Sequence, residues 1–553
     1  MENDLKIGMS FSGGGYRAAT FDLGTLSFLN SIRLEDGDGR CTLLDYVVAL
    51  SSVSGGTIPA MSYMLARARG EDVDVMVKKL FRWLCEEDLM THALKRLGEE
   101  KANPEVSSIK IMAEIYDSCL FGGATMGDII DHFDRIPVKD YTALASDFDN
   151  SLPFRFRLTE GRMSNGQRLT YGVFGNQKHS ISRSVVRHIT PGEALACSSC
   201  FPSGFEPMMY PGDFKVSQRP DVAQNIKGSF GIMDGGVVDN QGIDPILLAE
   251  ERLYKYRADK TRTDKALDMI IVSDVSSPYM QGYKPSGQAL PQWAGKLTIG
   301  RLRNYGLIVE AAVLLFFILS IVLGNGFLTG VAAVLLLLAT IANLAGAKMK
   351  KMLFRFIEGT FVGDRAAFIS HLKFATFESM FMNRAKSLLM MSSEVFLKRL
   401  RQMNYNSLHG DEAWLNRIVS VAIYELCPAE RWESMFKNGT LPAGLAPSDA
   451  MQQNSKRAAS MGTTLWFTPE EKAAGMPADL LAAGQYTTCY NLLSYIEKIG
   501  KNPVNLTSGH NLLIACKPQL LDAWKRFLQD PHCMVPLTAA RWWRQGFLIV
   551  EAA

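Results

Sequence analysis

An excess of either charge is missing from this chain. Its 59 Lys and Arg stand against 56 Asp and Glu, a net of +3 over 553 residues. A chain this close to neutral offers no domain-wide basic surface, so nucleic acid is not an expected partner. Cysteine is sparse as well. The nine residues are odd in number and scattered, which argues against a disulfide framework and suits a reducing compartment. Cys197-Ser-Ser-Cys200 is a close pair with no second pair or paired-histidine motif nearby, so it reads as packing rather than a metal or redox site. The histidines (His92, His132, His179, His188, His371, His409, His510 and His532) share no motif. The start, Met1-Glu-Asn-Asp-Leu-Lys6, lacks the basic-then-apolar order of a secretory signal, so no signal peptide is expected.

What is present is apolar. With 47% hydrophobic and 21% charged residues the chain can bury a large core, and its length suits several domains or one with insertions. The stretch Asp45-Tyr-Val-Val-Ala-Leu-Ser-Ser-Val-Ser-Gly-Gly-Thr-Ile-Pro59 organises the rest. An apolar run ends in small residues around Ser54 and passes into a helix start. That is the strand, tight turn and helix of a nucleophile elbow, where a serine hydroxyl is exposed on a strained turn. Gly56 fits the small position two after the serine, and Ser52 stands where the usual pattern has glycine. A Ser/Gly-rich loop is the other reading of these residues, and one short motif does not separate the two.

The chain opens with a strand pattern in which Leu5, Ile7, Met9 and Phe11 alternate with polar or small residues. Gly13-Gly14-Gly15-Tyr16-Arg17 follows, then a helical pattern from Phe21 to Ile32, a break at Asp36–Gly39, and the strand to Ser54. A right-handed βαβ crossover brings both strand ends to one sheet edge, so the triple glycine and Ser54 are expected to lie close together. Successive glycine amides at a helix start can face one oxygen and form an oxyanion hole. The rival phosphate cradle wants a following Gly-Lys-Ser/Thr or a G-x-G-x-x-G spacing, and neither is here.

Farther on, Asp72 to Leu97 reads as amphipathic helix and residues 105–150 as helix and loop. Phe154–Leu158 and Leu169–Val173 read as strands, and Thr190-Pro191 as a capped helix start. In Gly231-Ile-Met-Asp234-Gly235-Gly236, a carboxylate closes an apolar run beside two glycines. Asp-Gly is also a hairpin signal, but this is equally a place from which a general base can approach a serine. Met269–Asp274 reads as a buried strand, Asp411–Cys427 as a helix, Thr463–Phe467 as a strand and Tyr486–Ile499 as a helix.

Residues 307–323 carry one charge, Glu310, and Phe327–Ala347 carry none. Both runs reach the ~17–25 residues that cross a bilayer, and Gly324-Asn-Gly326 offers a reversal. Arg301 and Arg303 before the pair and Lys348, Lys350, Lys351 and Arg355 after it place both flanks on the cytoplasmic side. The Phe- and Met-rich run that follows (Phe368, Phe374, Phe377, Met380, Phe381) reads as core packing, as does the Trp542-Trp543 pair.

Taken in order, Gly13-Gly14-Gly15-Tyr16-Arg17, Ser54 in S-V-S-G-G, Phe201-Pro202, and Asp234-Gly235-Gly236 with Asp239-Asn240 resemble the patatin-like phospholipase family, here in a membrane-anchored form, over residues 5 to about 280. The resemblance implies an α/β three-layer sandwich with a mainly parallel central sheet, interrupted in this chain by a two-helix transmembrane hairpin. It implies Ser54 as nucleophile and Asp234 as base, without a catalytic histidine. It also implies Gly13, Gly14 and Gly15 as the oxyanion hole, Arg17 steadying that loop, and Gly56, Gly235 and Gly236 in support. No cofactor or metal is called for. The expected domains are residues 1–300 and the later part of 349–502 for the catalytic fold, 306–348 for the hairpin, and 503–553 as an extension. The expected activity is hydrolysis of phospholipid or lysophospholipid acyl esters by an integral membrane protein whose partners are lipid and bilayer. A Ser-His-Asp esterase and a non-catalytic lipid-binding scaffold are the alternatives, and oligomeric state is left open.

Overall fold

The computed structural model describes residues 5–34, 41–99, 107–162, 168–202, 204–255, 266–276, 283–285, 298–358, 373–391, 395–428, 444–501 and 508–536. The Asp36–Gly39 break, Phe368, His371 and Trp542-Trp543 lie outside these residues.

The opening strand, β1 (Ile7–Phe11), is buried at all five positions, as a central strand of a covered parallel sheet must be. Ten strands form the sheet: β1, β2 (Val47–Val53), β3 (Asp140–Asp147), β4 (Leu152–Arg162), β5 (Arg168–Gly175), β6 (Ser180–Ile181), β7 (Met208–Tyr210), β8 (Phe230–Asp234), β9 (Met269–Asp274) and β10 (Ile418–Ala422). Their order is β10-β9-β1-β2-β3-β4-β5-β6, with β8 also on β3 and β7 on β8. The run from β10 through β9, β1 and β2 to β3 is parallel. The strands beyond β3 are antiparallel.

Helices cover both faces. Ile7, Met9 and Phe11 of β1 and Met269 and Ile271 of β9 pack with α1 (Gly15–Ser31) and α8 (Met476–Lys501). Ile270 and Val272 of β9 face the other way, toward Ile246 of α4 (Ile243–Lys255) and Leu408 of α7 (Phe396–Gly410). Each fully buried Leu, Ile or Phe adds ~1.5–3 kcal/mol. Helix α1 packs closely on α8 at Gly24 and Gly484, where a side chain on either would strike the carbonyl of Leu481 or Phe21.

Three segments differ from the sequence expectation. Asp140–Asp147 is strand, not helix and loop; all eight residues are buried, so no alternation marks it. Asp411–Cys427 is not one helix but a turn of helix at Glu412–Leu415 followed by β10. A strand covered on both faces shows apolar residues at helical spacings by chance. Thr463–Phe467 forms no strand; it lies as irregular chain over the start of α1, where Thr464 accepts from the Tyr16 amide at 2.8 Å. The Asp72–Leu97 stretch is two helices, Val73–Glu86 and Leu89–Glu99, the first capped by the Asp72 carboxylate. Residues 508–536 are packed into the fold: Leu520, Trp524 and Phe527 are buried beside α8 and α1.

The chain divides into two compact units, Met1–Met280 with Ser393–Ala553, and Gln281–Ser392. The second holds α5 (Ile299–Val322) and α6 (Gly326–Glu358), joined by a turn with Gly324 at φ 65°. Their seam is polar at one level. Thr340 Oγ1 and Asn343 Nδ2 donate to Glu310 at 2.7 and 2.6 Å, and Asn343 also reaches the Gly306 carbonyl. Segments Asn304–Val322 and Gly326–Lys348 are long and apolar enough to cross a membrane.

Candidate active site

Ser54 directly follows β2 with φ 51°, a left-handed conformation that a serine adopts only at a cost. Strain of this kind is worth ~1–3 kcal/mol and persists only where the surroundings hold it. The hold is visible. The Ser54 amide donates to Ser198 Oγ at 2.9 Å, and Ser198 passes its own proton to the Leu144 carbonyl at 2.7 Å. The 3.1 Å contact with Thr57 Oγ1 therefore has Thr57 as donor. Ser198 lies at the end of α3 (Pro191–Ser199), whose start is fixed by a Thr190/Glu193 capping box with Pro191 in the first turn. Gly55 is required by close approach, since any Cβ there would run into the Gly15 carbonyl. Ser52, in the place where glycine is usual, is accommodated: its hydroxyl meets Tyr141 OH at 3.1 Å.

Asp234 reaches the elbow from the opposite direction. Strand β4 flanks one side of β3 along its whole length, and the other edge of β3 pairs first with β2, Leu144 against Val53, and then with antiparallel β8, Ala145 against Asp234. The end of β8 therefore points back along β3 to the level of Ser54. The Asp234 amide is held by the Cys200 carbonyl at 3.0 Å, and its carbonyl accepts from Ser146 Oγ at 2.8 Å. Burial pushes its carboxyl up to about 6, while hydrogen bonds from the Gly236 amide and the Ser54 side chain pull it partly back. Asp234-Gly235-Gly236 is not a hairpin; it leads into a helical turn at Gly236–Asp239.

The triple glycine lies beside Ser54, as the βαβ argument requires. A Cβ on Gly13 would sit 3.2 Å from Ser54 Cβ. The three glycines are not equivalent. The Gly13 amide is already spent on the Asn240 carbonyl at 2.9 Å, so it is not an oxyanion donor in this structure. Gly14 and Gly15, at φ 154° and 59°, are the N-cap and first residue of α1, where amides have no intrahelical acceptor. Those two are the donors left to an oxyanion. Arg17 also differs from expectation. Its Nη1 donates to the Met461 carbonyl at 2.6 Å and its Nη2 lies 3.4 Å from Thr463 Oγ1, so it ties down the loop whose Thr464 backbone packs on Gly15 and accepts from the Tyr16 amide.

Sequence reading missed Ser198, Asn240 as the acceptor for Gly13, and the whole 461–464 loop. Ser198 lay inside the Cys-x-x-Cys pair, whose cysteines are buried, with Cys197 on Met208 and Cys200 on the Glu206 carbonyl. Asp239 enters the sequence pattern only beside Asn240. It is buried, accepts from the amides of Gln241, Gly242 and Asp244, and takes Asn404 Nδ2 at 2.8 Å. None of the described histidines bonds to Ser54 or Asp234; His179, for example, pairs with Asp147 at 2.9 Å and stacks on Phe230. Asp147, Asp149 and His179 have metal-ligand proximity, but the Asp147 carboxylate accepts from the Asp149 and Asn150 amides and from Asn176 Nδ2. That is a cap for the turn after β3.

No protein-family model and no curated protein matches this chain. Solved structures do match, among them human GIVD cytosolic phospholipase A2, at 15% identity with a TM-score of 0.31 over 50% of this chain and 44% of that one. Two structures of that human enzyme with methyl gamma-linolenyl fluorophosphonate match at 18% identity. Their TM-scores are 0.22 over 37% of this chain and 33% of that one, and 0.25, in the structure that also has terbium chloride, over 50% and 42%. The chain thus spans less than half the length of these neighbours.

Proposed function

We propose that this protein is a lipid acyl hydrolase of the patatin-like kind, acting through Ser54 and Asp234 on phospholipid or lysophospholipid esters, with the Asn304–Lys348 hairpin as its membrane anchor. One observation carries the reading. Ser54 is held in a left-handed backbone conformation just after β2, and the buried Asp234 carboxylate closes the strand that runs head-on toward it along the same edge of β3.

Each residue then has a task. Asp234, ionised above pH 6, takes the Ser54 proton as Oγ attacks the ester carbonyl. Negative charge moves to the carbonyl oxygen, toward the Gly14 and Gly15 amides, where a donor of this kind lowers the barrier by ~2.7–4 kcal/mol. Collapse of that intermediate returns the proton to the departing alcohol and leaves an acyl-Ser54 ester. A water, deprotonated by Asp234, attacks the acyl carbon; the bond to Ser54 Oγ breaks, Asp234 returns the proton to that oxygen, and the fatty acid leaves. Anchoring raises the effective concentration of bilayer lipid at the site.

The test is labelling by an alkyl fluorophosphonate, with lipid mass spectrometry after incubation with phospholipid, lysophospholipid and triacylglycerol. Labelling and fatty-acid release should both vanish in Ser54→Ala. A folded wild-type protein that takes no label and releases no acid would leave a lipid-binding scaffold as the reading. Loss of activity in one of the His→Ala variants, with Asp234→Asn still active, would favour a triad.

A further inference from the structure

The end of α3 touches both residues to which the hydrolase reading gives chemistry. The Ser54 amide donates to Ser198 Oγ, the Gly235 amide donates to the Ser198 carbonyl at 3.3 Å, and the Asp234 amide to the Cys200 carbonyl. Where that end lies is decided at the start of the helix. Glu193 and Asp117, 1% and 2% exposed, meet there, and all four of their carboxylate oxygens are taken. Glu193 accepts from the Thr190 amide at 2.7 Å and from the Lys215 amide at 2.5 Å. Asp117, which follows α2 (Ser108–Tyr116), accepts from the Gly192 amide at 2.9 Å and from Lys215 Nζ at 2.7 Å. A Cβ on Gly192 would strike that carboxylate, so glycine lets Asp117 close on the helix. Lys215 opens the turn Lys215–Gln218 between β7 and β8. One lysine thus serves both acids, one through its backbone and the other through its ammonium.

We propose that Asp117, Glu193 and Lys215 form a positioning clamp that fixes α3 along its axis and so sets Ser54 and Asp234 relative to each other. Buried carboxylates are tolerated only when partnered. Every donor to these two comes from the start of α3 or from Lys215, so their desolvation is offset only while the three segments stay joined. All nine residues of α3 are buried, and the helix carries that fixed point to Ser198 over roughly 12 Å at the helical rise. A shift of α3 along its axis would move the acceptors of the Ser54 and Asp234 amides together. Reacting groups misplaced by about 1 Å can lose about 10²-fold in rate. The three residues act through α3, not on substrate. The effect on rate rests on the hydrolase reading; the effect on geometry does not.

The experiment reads both effects. The full chain in a neutral detergent is compared with Lys215→Met, which keeps the side-chain stem and the backbone donor but removes Nζ. Steady-state kinetics on a short-chain ester give kcat and KM, and hydrogen exchange is followed in peptides spanning Ser54 and Asp234. The variant should lose about tenfold in kcat with KM little changed, and exchange at both sites should quicken. Lys215→Arg, which restores the cation, should recover most of the loss, and Lys215→Gln serves if the apolar replacement impairs folding. Leu520→Ala is the control, since it removes packing beside α8; it should lower the melting temperature without the fall in kcat. Unchanged exchange at Ser54 and Asp234 in a folded Lys215→Met chain would overturn the proposal. So would an unchanged kcat where the wild type is active, or an equal loss of kcat in Leu520→Ala. A wild type that hydrolyses nothing refutes the hydrolase reading alone, and exchange then decides the clamp by itself.

Discussion

The Asp234 carboxyl concentrates the conflict between folding and chemistry in one side chain. It is raised from 3.8 to about 6, burial being the largest cause. Between those values the folded chain keeps a proton that the unfolded chain has lost. This group's contribution to stability is therefore whole below pH 3.8 and declines as pH rises to about 6. Roughly two pH units correspond to about 3 kcal/mol. Asp234→Asn should raise the melting temperature at pH 7.5 by a few degrees while abolishing ester hydrolysis, and wild-type kcat should climb across pH 6 as one proton leaves. A pH-independent kcat between 5 and 7.5 would contradict the assigned base. Ser198 is the second residue-scale case. Ser198→Ala leaves the Ser54 amide without its acceptor, a loss of about 1–3 kcal/mol. It should lower kcat on a short-chain ester with little change in KM, as read by steady-state kinetics. Ser54 and Asp234 were legible because each ends an apolar run beside glycines. Ser198 was not, since its role comes from a hydrogen bond across 144 residues and its neighbours advertise only cysteine.

At the scale of elements, hydrophobic period exposed the elements with one solvated face and hid some of those with none. Helix Val73–Glu86 shows its stripe, whereas β3 and β10, covered on both sides, do not. The Thr463–Phe467 segment failed for a different reason: β-favouring residues there have no strand beside them, and their order comes from α1. Arg17 and the Tyr16 amide supply it. Arg17→Ala should thus cost about 1.5–3 kcal/mol, the range for hydrogen bonds to charged groups, and speed hydrogen exchange in residues 461–467. It should also reduce kcat through the Gly14–Gly15 amides. Unchanged exchange in that loop would show that α1 does not need this tie.

For the whole molecule, the legible parts were the apolar pair of helices and the first βαβ unit. The point at which the chain rejoins the first unit was not, because the link between β9 and β10 carries no signal for its length. Replacing residues 304–348 by a Gly/Ser linker should give a protein that stays in solution without detergent, still labels at Ser54, and loses rate on vesicles far more than on a dissolved short-chain ester. Loss of labelling in a folded deletion variant would refute the separation of anchor from catalyst. The insertion also sets an order in time. Ser54, Asp234 and the glycines are made first, then the apolar pair, and only afterwards Asn404, Met461 and Thr464, which brace the Asp239 turn and the glycine loop. A ribosome therefore makes both apolar helices before it makes Asn404, Met461 and Thr464, which bond Asp239, Arg17 and the Tyr16 amide.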